Sequence, residues 1–125
     1  MNKVINILYV EDEPSIAQLL SSGLGLFGMK VQPIYMSAED LLQNLNGTGF
    51  VEADMFIFDI RLPGITGLEL ATRLRQKGES RPFLLVSAWP APATEKLEAI
   101  QASFIAKPFD FSDIVSKIQE LTHSL

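Results

Sequence analysis

The chain has 125 residues, a formal net charge of -5 and no cysteine, and this length suits one domain, residues 1–125, with a single hydrophobic core. The absence of cysteine from the sequence excludes disulfides and thiolate metal sites, and it favours a reducing, cytoplasmic setting. The acidic balance argues against direct nucleic-acid binding, which relies on a basic surface. The apolar runs are too short to cross a bilayer, and the N-terminus lacks a signal-peptide pattern, so no membrane contact is expected.

The N-terminal part of the chain begins with a strand followed by a helix. Residues 4–10 form an apolar, strand-like run, and a helix is predicted to begin near Pro14, because a first turn tolerates proline. Gly28 is predicted to end this helix. Spacing of three and four residues predicts an inward face made of Ile16, Leu19, Leu20, Leu24 and Phe27.

A second, weaker strand is predicted at residues 30–35. Pro33 lies within it and indicates the edge of a sheet, since proline cannot donate to the hydrogen-bond ladder. Ser37 followed by Asp40 is typical of a helix start. That helix is predicted to face inward through Leu41, Leu42 and Leu45.

The middle of the chain contains two further strands with a helix between them. The third strand, residues 55–58, has Asp59 at its carboxyl end. Thr66 and Glu69 form a capping-box pattern that predicts a helix over 67–76. Residues 82–86 predict a fourth strand, which is nearly all apolar and therefore buried on both faces.

The C-terminal part predicts a short helix at 94–101 and a short fifth strand at 104–106. Pro90 and Pro92 delay or unravel the start of that helix, because proline disrupts helix interiors and restricts the residue before it. Asp110 is predicted to cap a last helix. The inner face of this helix would consist of Ile114, Val115, Ile118 and Leu121.

Five strand–helix alternations predict an α/β fold with a doubly wound parallel sheet and helices on both faces. Such folds place their sites beyond the carboxyl ends of the strands. Four stretches would meet there: the acids Glu11, Asp12 and Glu13 after strand one, then Asp59, Ser87 and Lys107 after strands three, four and five.

The converging carboxylates predict a cation site. Two unit charges ~4 Å apart repel by about 4 kcal/mol at an effective dielectric of 20, so three carboxylates need a cation or a proton between them. Oxygen-only ligands indicate a hard cation, and Mg2+ takes one or two carboxylates, several waters and phosphate oxygens. Mg2+ is therefore predicted, with Mn2+ as a possible substitute.

Asp59 is the predicted nucleophile, because it stands alone at the end of a strand. A carboxylate can attack phosphorus and carry the phosphoryl group as an acyl phosphate. The charge on that group must be neutralised, and a metal ion, Lys107 and the Ser87 hydroxyl would do so. The adjacent Glu11 and Asp12 are better suited to holding the metal.

These residues resemble the CheY-like receiver domains of two-component response regulators. The matching stretches are "ILYVEDEPSI", "FIFDIRLPGITGLELA", "LLVSAW" and "AKPFD", in family order and at family-like spacing. The resemblance implies a flavodoxin-like, five-stranded sheet in strand order 2-1-3-4-5. It also implies that Asp59 accepts a phosphoryl group from a phosphohistidine on a sensor histidine kinase or a histidine phosphotransfer protein.

The resemblance implies roles for the neighbours of Asp59 as well. Mg2+ would be held by Asp59, by Asp12 directly, by Glu11 through water and by the backbone carbonyl of Arg61. The phosphoryl group would be bound by Ser87, by the Ala88 amide and by Lys107, with a cis bond between Lys107 and Pro108. Phe104 falls where the family places its switch aromatic, which turns inward when Ser87 moves.

Simpler interpretations stand beside these. Asp59 alone could be a turn residue, the acids at 11–13 could merely cap the first helix, and Lys107 and Ser87 could be ordinary polar residues. The Arg61 side chain is either solvated or a control on water access to the site. Trp89, two residues beyond Ser87, should report on the site, whereas His123 lies in a polar tail and is not a candidate phosphodonor.

The leading hypothesis is a phosphorylation-dependent switch that phosphorylates and dephosphorylates itself but turns over no external substrate. Its signal would pass to a downstream protein or to an output domain outside this chain, and a homodimer is possible. The alternative is a phosphorylation-independent interaction module, favoured by the unusual "WPAPA" segment. A phosphohydrolase is disfavoured, because Arg61 stands where such an enzyme would carry a second acid–base carboxylate.

Overall fold

The computed structural model describes residues 4–123. Within that range the chain forms five strands and six helices. Strands and helices alternate, except that two helices follow one another between the second and third strands. In chain order they are β1 (Ile5–Val10), α1 (Pro14–Gly25), β2 (Met29–Tyr35), α2 (Ala38–Leu42), α3 (Thr48–Glu52), β3 (Met55–Asp59), α4 (Gly67–Gln76), β4 (Phe83–Ser87), α5 (Thr94–Ala99), β5 (Ala102–Ala106) and α6 (Phe111–Thr122).

The strands form one parallel sheet in the order β2-β1-β3-β4-β5. This confirms the predicted fold class and strand order, and β2 with its Pro33 is an edge strand as expected. All residues of β3 and β4 are buried, which explains why their sequences are continuous apolar runs rather than alternating ones.

The sheet separates two hydrophobic layers, because successive strand residues point to opposite faces. Phe56 and Phe58 of β3 pack against α2 and α4. Met55 and Ile57 pack against α1 and α6 on the other face. Because all five strands are parallel, their carboxyl ends lie at a single edge of the sheet.

The local signals for helix starts were strong where a side chain caps the backbone. The hydroxyl Oγ1 of Thr66 accepts a hydrogen bond from the Glu69 N–H at 3.2 Å, and α4 has the predicted bounds. Ser37 Oγ accepts from the Asp40 N–H at 3.0 Å in the same way. Asp110 occupies the N-cap position of α6 without a side-chain capping bond.

The predicted inner face of α1 was wrong at two positions. Leu19 and Phe27 are exposed, and the helix ends at Gly25, three residues before the predicted stop. The buried face is instead formed by Ala17, Leu20 and Leu24. Leu19 lies one residue away from that stripe, and Phe27 lies beyond the last helical turn. Helix α3 was missed altogether, since it has five residues and none of them is buried.

The segment from the end of β4 to the end of β5 is poorly buried. Helix α5 begins only at Thr94, after Pro90 and Pro92, and it has no buried residue. Strand β5 is only partly buried along its length. Among the residues that the structure describes, no helix combines the length and the apolar character that crossing a membrane requires.

Candidate functional site

Most of the predicted site residues line one open pocket at the carboxyl edge of the sheet, whereas Ser87 and Phe104 are not part of its lining. Its volume is about 570 Å3. The lining includes acids that follow β1 and β3, together with Lys107 after β5 and residues of the loops after β3 and β4: Glu11, Asp12, Glu13, Asp59, Arg61, Leu62, Pro63, Ala88, Trp89 and Lys107. The topology therefore brings together side chains separated by up to 96 positions in sequence.

Lys107 bridges two carboxylates in this pocket. Its Nζ lies 3.0 Å from Glu11 Oε1 and 3.3 Å from Asp59 Oδ2. Glu11 is 1% exposed and Asp59 is 5% exposed, so both ion pairs are shielded from solvent. Buried charges of this kind persist only when they are paired and hydrogen-bonded.

Three acids are close enough to share a cation. One carboxylate oxygen from each of Glu11, Asp12 and Asp59 lies within 4.8 Å of the others. Glu11 and Asp59 are buried, whereas Asp12 is partly exposed. A single lysine cannot neutralise three carboxylates, and all-oxygen ligands suit a divalent hard cation. The residues present therefore fit a bound metal ion.

The electrostatics of the pocket are dominated by burial. Burial, and then the charge of Glu11, raise the pKa of Asp59 to about 6, although Lys107 acts in the opposite direction. Burial also pushes the pKa of Glu11 upward, but the hydrogen bond and charge of Lys107 outweigh it and lower that pKa. Burial tends to lower the pKa of Lys107, yet its bonds to the two carboxylates raise it overall. Lys107 is therefore a firmly protonated cation beside an unusually basic aspartate.

Tyr9 is a site residue that sequence reasoning missed. Its hydroxyl donates a hydrogen bond to Glu11 Oε1 at 3.0 Å, and burial, followed by the charge of Glu11, raises its pKa well above the usual range. The signal was present, since residues two apart on a strand face the same side. This spacing places Tyr9 near Glu11, but the meeting of its hydroxyl with the carboxylate is visible only in the structure.

Ser87 and the loop after it are connected through the backbone. Ser87 is completely buried, and its Oγ accepts a hydrogen bond from the Trp89 N–H at 3.0 Å. Ala88, between them, is exposed at the pocket lining. The ring of Trp89 is 46% exposed, and the guanidinium carbon of Arg61 lies 5.4 Å from its centroid, within cation–π range.

The loop after β3 is held tightly against Asp59. The Arg61 N–H donates to Asp59 Oδ1 at 3.4 Å. At Gly67, a Cβ would overlap the Asp59 carbonyl, so only glycine permits this close approach of α4 to the strand end. From the other side, Glu39 Oε2 accepts from the Ile65 N–H at 3.0 Å. The backbone around the candidate nucleophile is thus fixed by contacts to three parts of the fold.

Two further expectations concern residues beside the pocket. The peptide bond between Lys107 and Pro108 is cis, as expected. Phe104 is partly buried and packs against the α2 and α4 layer, outside the residues that line the pocket. His123 is exposed just beyond the last residue of α6.

The fold and the pocket together define a flavodoxin-like α/β protein with an acidic, lysine-bridged site at its carboxyl edge. Residues 7–119 match the response regulator receiver domain family. The chain therefore belongs to that family, whose members act as phosphorylation switches in two-component systems.

Curated relatives agree with this assignment. The chain is 30% identical over 123 residues to the two-component response regulator PhoP of Pseudomonas aeruginosa, covering 94% of this chain and 51% of that protein. It is 31% identical over 119 residues to the transcriptional activator protein IrlR of Burkholderia pseudomallei, covering 94% and 50%. The chain thus spans about half the length of the curated relatives it matches.

Solved structures show the same fold. The response regulator TrrA of Thermotoga maritima, determined in complex with Mg2+ and BeF, is 28% identical, with a TM-score of 0.81 and coverage of 94% of this chain and 99% of that one. The chemotaxis protein CheY4 of Vibrio cholerae has a TM-score of 0.81 at 23% identity, covering 95% and 99%.

Proposed function

We propose that this domain is a switch that accepts a phosphoryl group on Asp59 from a phosphohistidine. The observation that carries the proposal is Lys107, whose Nζ lies within 3.3 Å of both Glu11 and Asp59 in a pocket lined by a third acid, Asp12. An ammonium in this position can form an ion pair with a phosphoryl group on Asp59 and stabilise its negative charge.

The transfer step needs little covalent help from the protein. An oxygen of Asp59 attacks phosphorus, the phosphorus–nitrogen bond to the donor histidine breaks, and the imidazole keeps the electron pair and takes up a proton. Lys107, the hydroxyl of Ser87 and the amide of Ala88 neutralise the charge on the phosphoryl oxygens.

We assign the metal to the acidic side of the pocket. Asp12 and Asp59 would bind it directly, Glu11 through water, and the carbonyl of Arg61 would complete the protein ligands. The carboxylate cluster within 4.8 Å supports a divalent cation, and Mg2+ is the ion that combines few carboxylates with phosphate oxygens. Mn2+ would substitute for it. The metal offsets the repulsion between the carboxylates and the incoming phosphoryl group.

Loss of the phosphoryl group completes the cycle. Water attacks phosphorus, the bond to the Asp59 oxygen breaks, inorganic phosphate leaves and the carboxylate is regenerated. No external substrate is turned over, because Arg61 occupies the position from which a second carboxylate would act as acid and base. Because hydrolysis ends the phosphorylated state, its lifetime depends on how readily water reaches the phosphorus atom.

Switching would run through Ser87 and Phe104. A ligand shifts a conformational equilibrium only by binding its two states differently. Ser87 Oγ is engaged by the Trp89 N–H, so a phosphoryl group that draws this hydroxyl inward would also move the loop carrying Trp89. Phe104, only partly buried on β5, would fill the space that Ser87 leaves.

The proposal includes partners and a setting. The phosphodonor would be a sensor histidine kinase or a histidine phosphotransfer protein, and the receiver of the signal a downstream protein, an output domain or a second copy of this chain. A cytoplasmic location accords with a sequence that has no cysteine. Neither nucleic acid nor membrane is proposed as a direct partner of this acidic domain.

The test uses beryllofluoride, a phosphoryl mimic, together with Mg2+. We expect the fluorescence of Trp89 to change and the melting temperature to rise, because a ligand that binds only the native state stabilises it. Asp59→Ala should abolish both responses. A wild-type protein that gives neither response, and gains no phosphoryl mass from acetyl phosphate, would instead be the phosphorylation-independent module.

A further inference from the structure

The carboxylate of Glu11 accepts hydrogen bonds from three protein donors. Oε1 accepts hydrogen bonds from the Tyr9 hydroxyl and from Lys107 Nζ, each at 3.0 Å. Oε2 accepts from the Glu13 N–H at 3.2 Å. Only 1% of its surface is exposed, so its hydrogen-bond partners within the fold largely determine what its charge costs.

Lys107 is the donor that the phosphoryl group would draw away. The ammonium now divides its hydrogen bonds between Glu11 and Asp59. When Asp59 carries a phosphoryl group, the negative charge shifts to the phosphoryl oxygens, and a protonated lysine follows it. Glu11 Oε1 then loses part or all of the bond from Lys107. Removing a donor from a buried carboxylate oxygen is unfavourable unless another donor remains on that oxygen.

The Tyr9 hydroxyl is the donor that can stay behind. Tyr9 belongs to the buried layer between β1 and the helices α1 and α6, with 1% of its surface exposed, so its ring is fixed by packing. Its hydroxyl donates to the same oxygen as Lys107.

We propose that Tyr9 is a positioning residue of the switch: its hydroxyl keeps Glu11 hydrogen-bonded while Lys107 turns from Glu11 to the phosphoryl group on Asp59. This inference rests on the proposed phosphoryl-accepting function. Tyr9 acts through Glu11 and Lys107 and touches neither phosphoryl group nor metal. Its contribution is largest in the occupied state, in which Glu11 Oε1 has lost the bond from Lys107.

The Tyr9→Phe variant tests this role, because it removes one oxygen and retains the packed ring. The dissociation constant for beryllofluoride is measured by Trp89 fluorescence at saturating Mg2+. We expect it to rise about fivefold, because the hydrogen bond to Glu11 exists in both states and only its strengthening on the loss of Lys107 changes the affinity. Tyr35→Phe is the matched control, since Tyr35 is the other tyrosine in the sequence and its hydroxyl should not matter at the site.

A double-mutant cycle ties the effect to Glu11. In a Glu11→Asp background the shorter carboxylate cannot reach the Tyr9 hydroxyl, so adding Tyr9→Phe should have no further effect on beryllofluoride affinity. The inference is overturned if Tyr9→Phe binds beryllofluoride within twofold of wild type. It is equally overturned if the variant only lowers the melting temperature of the free protein, because that is a packing effect.

Failure of this inference can be distinguished from failure of the proposed function. A wild-type protein that does not respond to beryllofluoride contradicts the phosphoryl-accepting function itself. A wild-type response that depends on Asp59 but not on the Tyr9 hydroxyl leaves that function intact and removes only the role of Tyr9.

Discussion

At the scale of single residues, Asp59 combines two opposing environments. It is buried next to the negative charge of Glu11, and both effects favour its protonated form. Lys107, at 3.3 Å, favours the ionised form. The raised pKa of Asp59 means that burial and repulsion outweigh the attraction of Lys107 in the absence of a metal ion. The nucleophile is thus less stable as an anion in the free protein than it would be beside a metal ion.

This imbalance predicts a pH-dependent gain in stability for Asp59→Asn. The pKa of Asp59 is about 6 in the folded protein and about 4 in an unfolded chain. Between these values the folded state holds a proton that the unfolded state has lost, so stability falls as pH rises and the full penalty applies above about pH 6. Asparagine carries no such penalty. We expect the variant to be more stable than wild type by up to about 3 kcal/mol at pH 7.5 without metal.

Urea unfolding in EDTA from pH 5 to pH 8 measures this difference. The gap between variant and wild type should be about half of its full size at pH 5, widen toward pH 6.5 and then remain nearly constant. Adding Mg2+ should narrow it at pH 7.5, because the metal stabilises only the wild-type carboxylate. A gap that is the same at every pH would contradict the assigned protonation of Asp59.

At the scale of secondary-structure elements, Arg75 connects α4 to the chain around β5. Its guanidinium lies 3.7 Å from the ring centroid of Phe83. It donates hydrogen bonds to the carbonyl oxygens of Ile100 at 2.7 Å and Gln101 at 3.2 Å. It also donates to the carbonyl oxygens of Glu79 and Arg81 in the connection between α4 and β4. One side chain therefore provides hydrogen-bond donors for backbone carbonyl groups in the turns that precede β4 and β5.

Arg75→Ala should be strongly destabilising, because several carbonyl groups lose a charged donor and a stacked contact with Phe83 is lost. We expect a decrease in the free energy of unfolding of about 3 kcal/mol. Arg73→Ala is the matched control in the same helix, since Arg73 makes only an exposed ion pair with Glu69 and should lose no more than about 0.5 kcal/mol. Equal losses for the two variants, measured by urea unfolding, would contradict this role.

The elements that the sequence predicted well are those with a local signal. Thr66 caps α4, and the continuous apolar runs of β3 and β4 indicated buried parallel strands. Leu19 was misplaced because its neighbour Leu20 competes for the same face, and only tertiary packing decides between them. Helix α3 could not be predicted, since no apolar periodicity marks a five-residue helix without a buried side chain.

The candidate site was predictable for a different reason. Parallel strands place their carboxyl ends at one edge, so Asp12, Asp59 and Lys107 could be brought together from topology alone. Tyr9 could not be assigned in this way, because its contribution depends on the direction of one hydroxyl beneath Glu11. Sequence order predicts which residues meet, whereas the donors that satisfy each buried charge become apparent only in three dimensions.

At the scale of the whole molecule, burial is distributed unevenly across the sheet. The central strands β3 and β4 are completely buried, whereas β5 is partly exposed and α5 covers it without a buried residue of its own. Local stability follows buried apolar contacts and protected hydrogen bonds. The half of the sheet that carries Lys107 and Phe104 therefore lies next to the part of the fold that opens most easily.

Hydrogen exchange of backbone amides tests this distribution. Amides of β3 should exchange only by global unfolding, whereas those of α5 should exchange at least about a hundredfold faster through local opening. Helix α4 is the internal control, because it covers the same face of the sheet but buries Gly67, Leu70, Ala71 and Leu74. Amides of α5 that exchange as slowly as those of α4 would contradict the expectation. If they are fast in the free protein and slow with Mg2+ and beryllofluoride, occupancy of the pocket stabilises α5, and the segment after Ser87 couples Asp59 to the rest of the molecule.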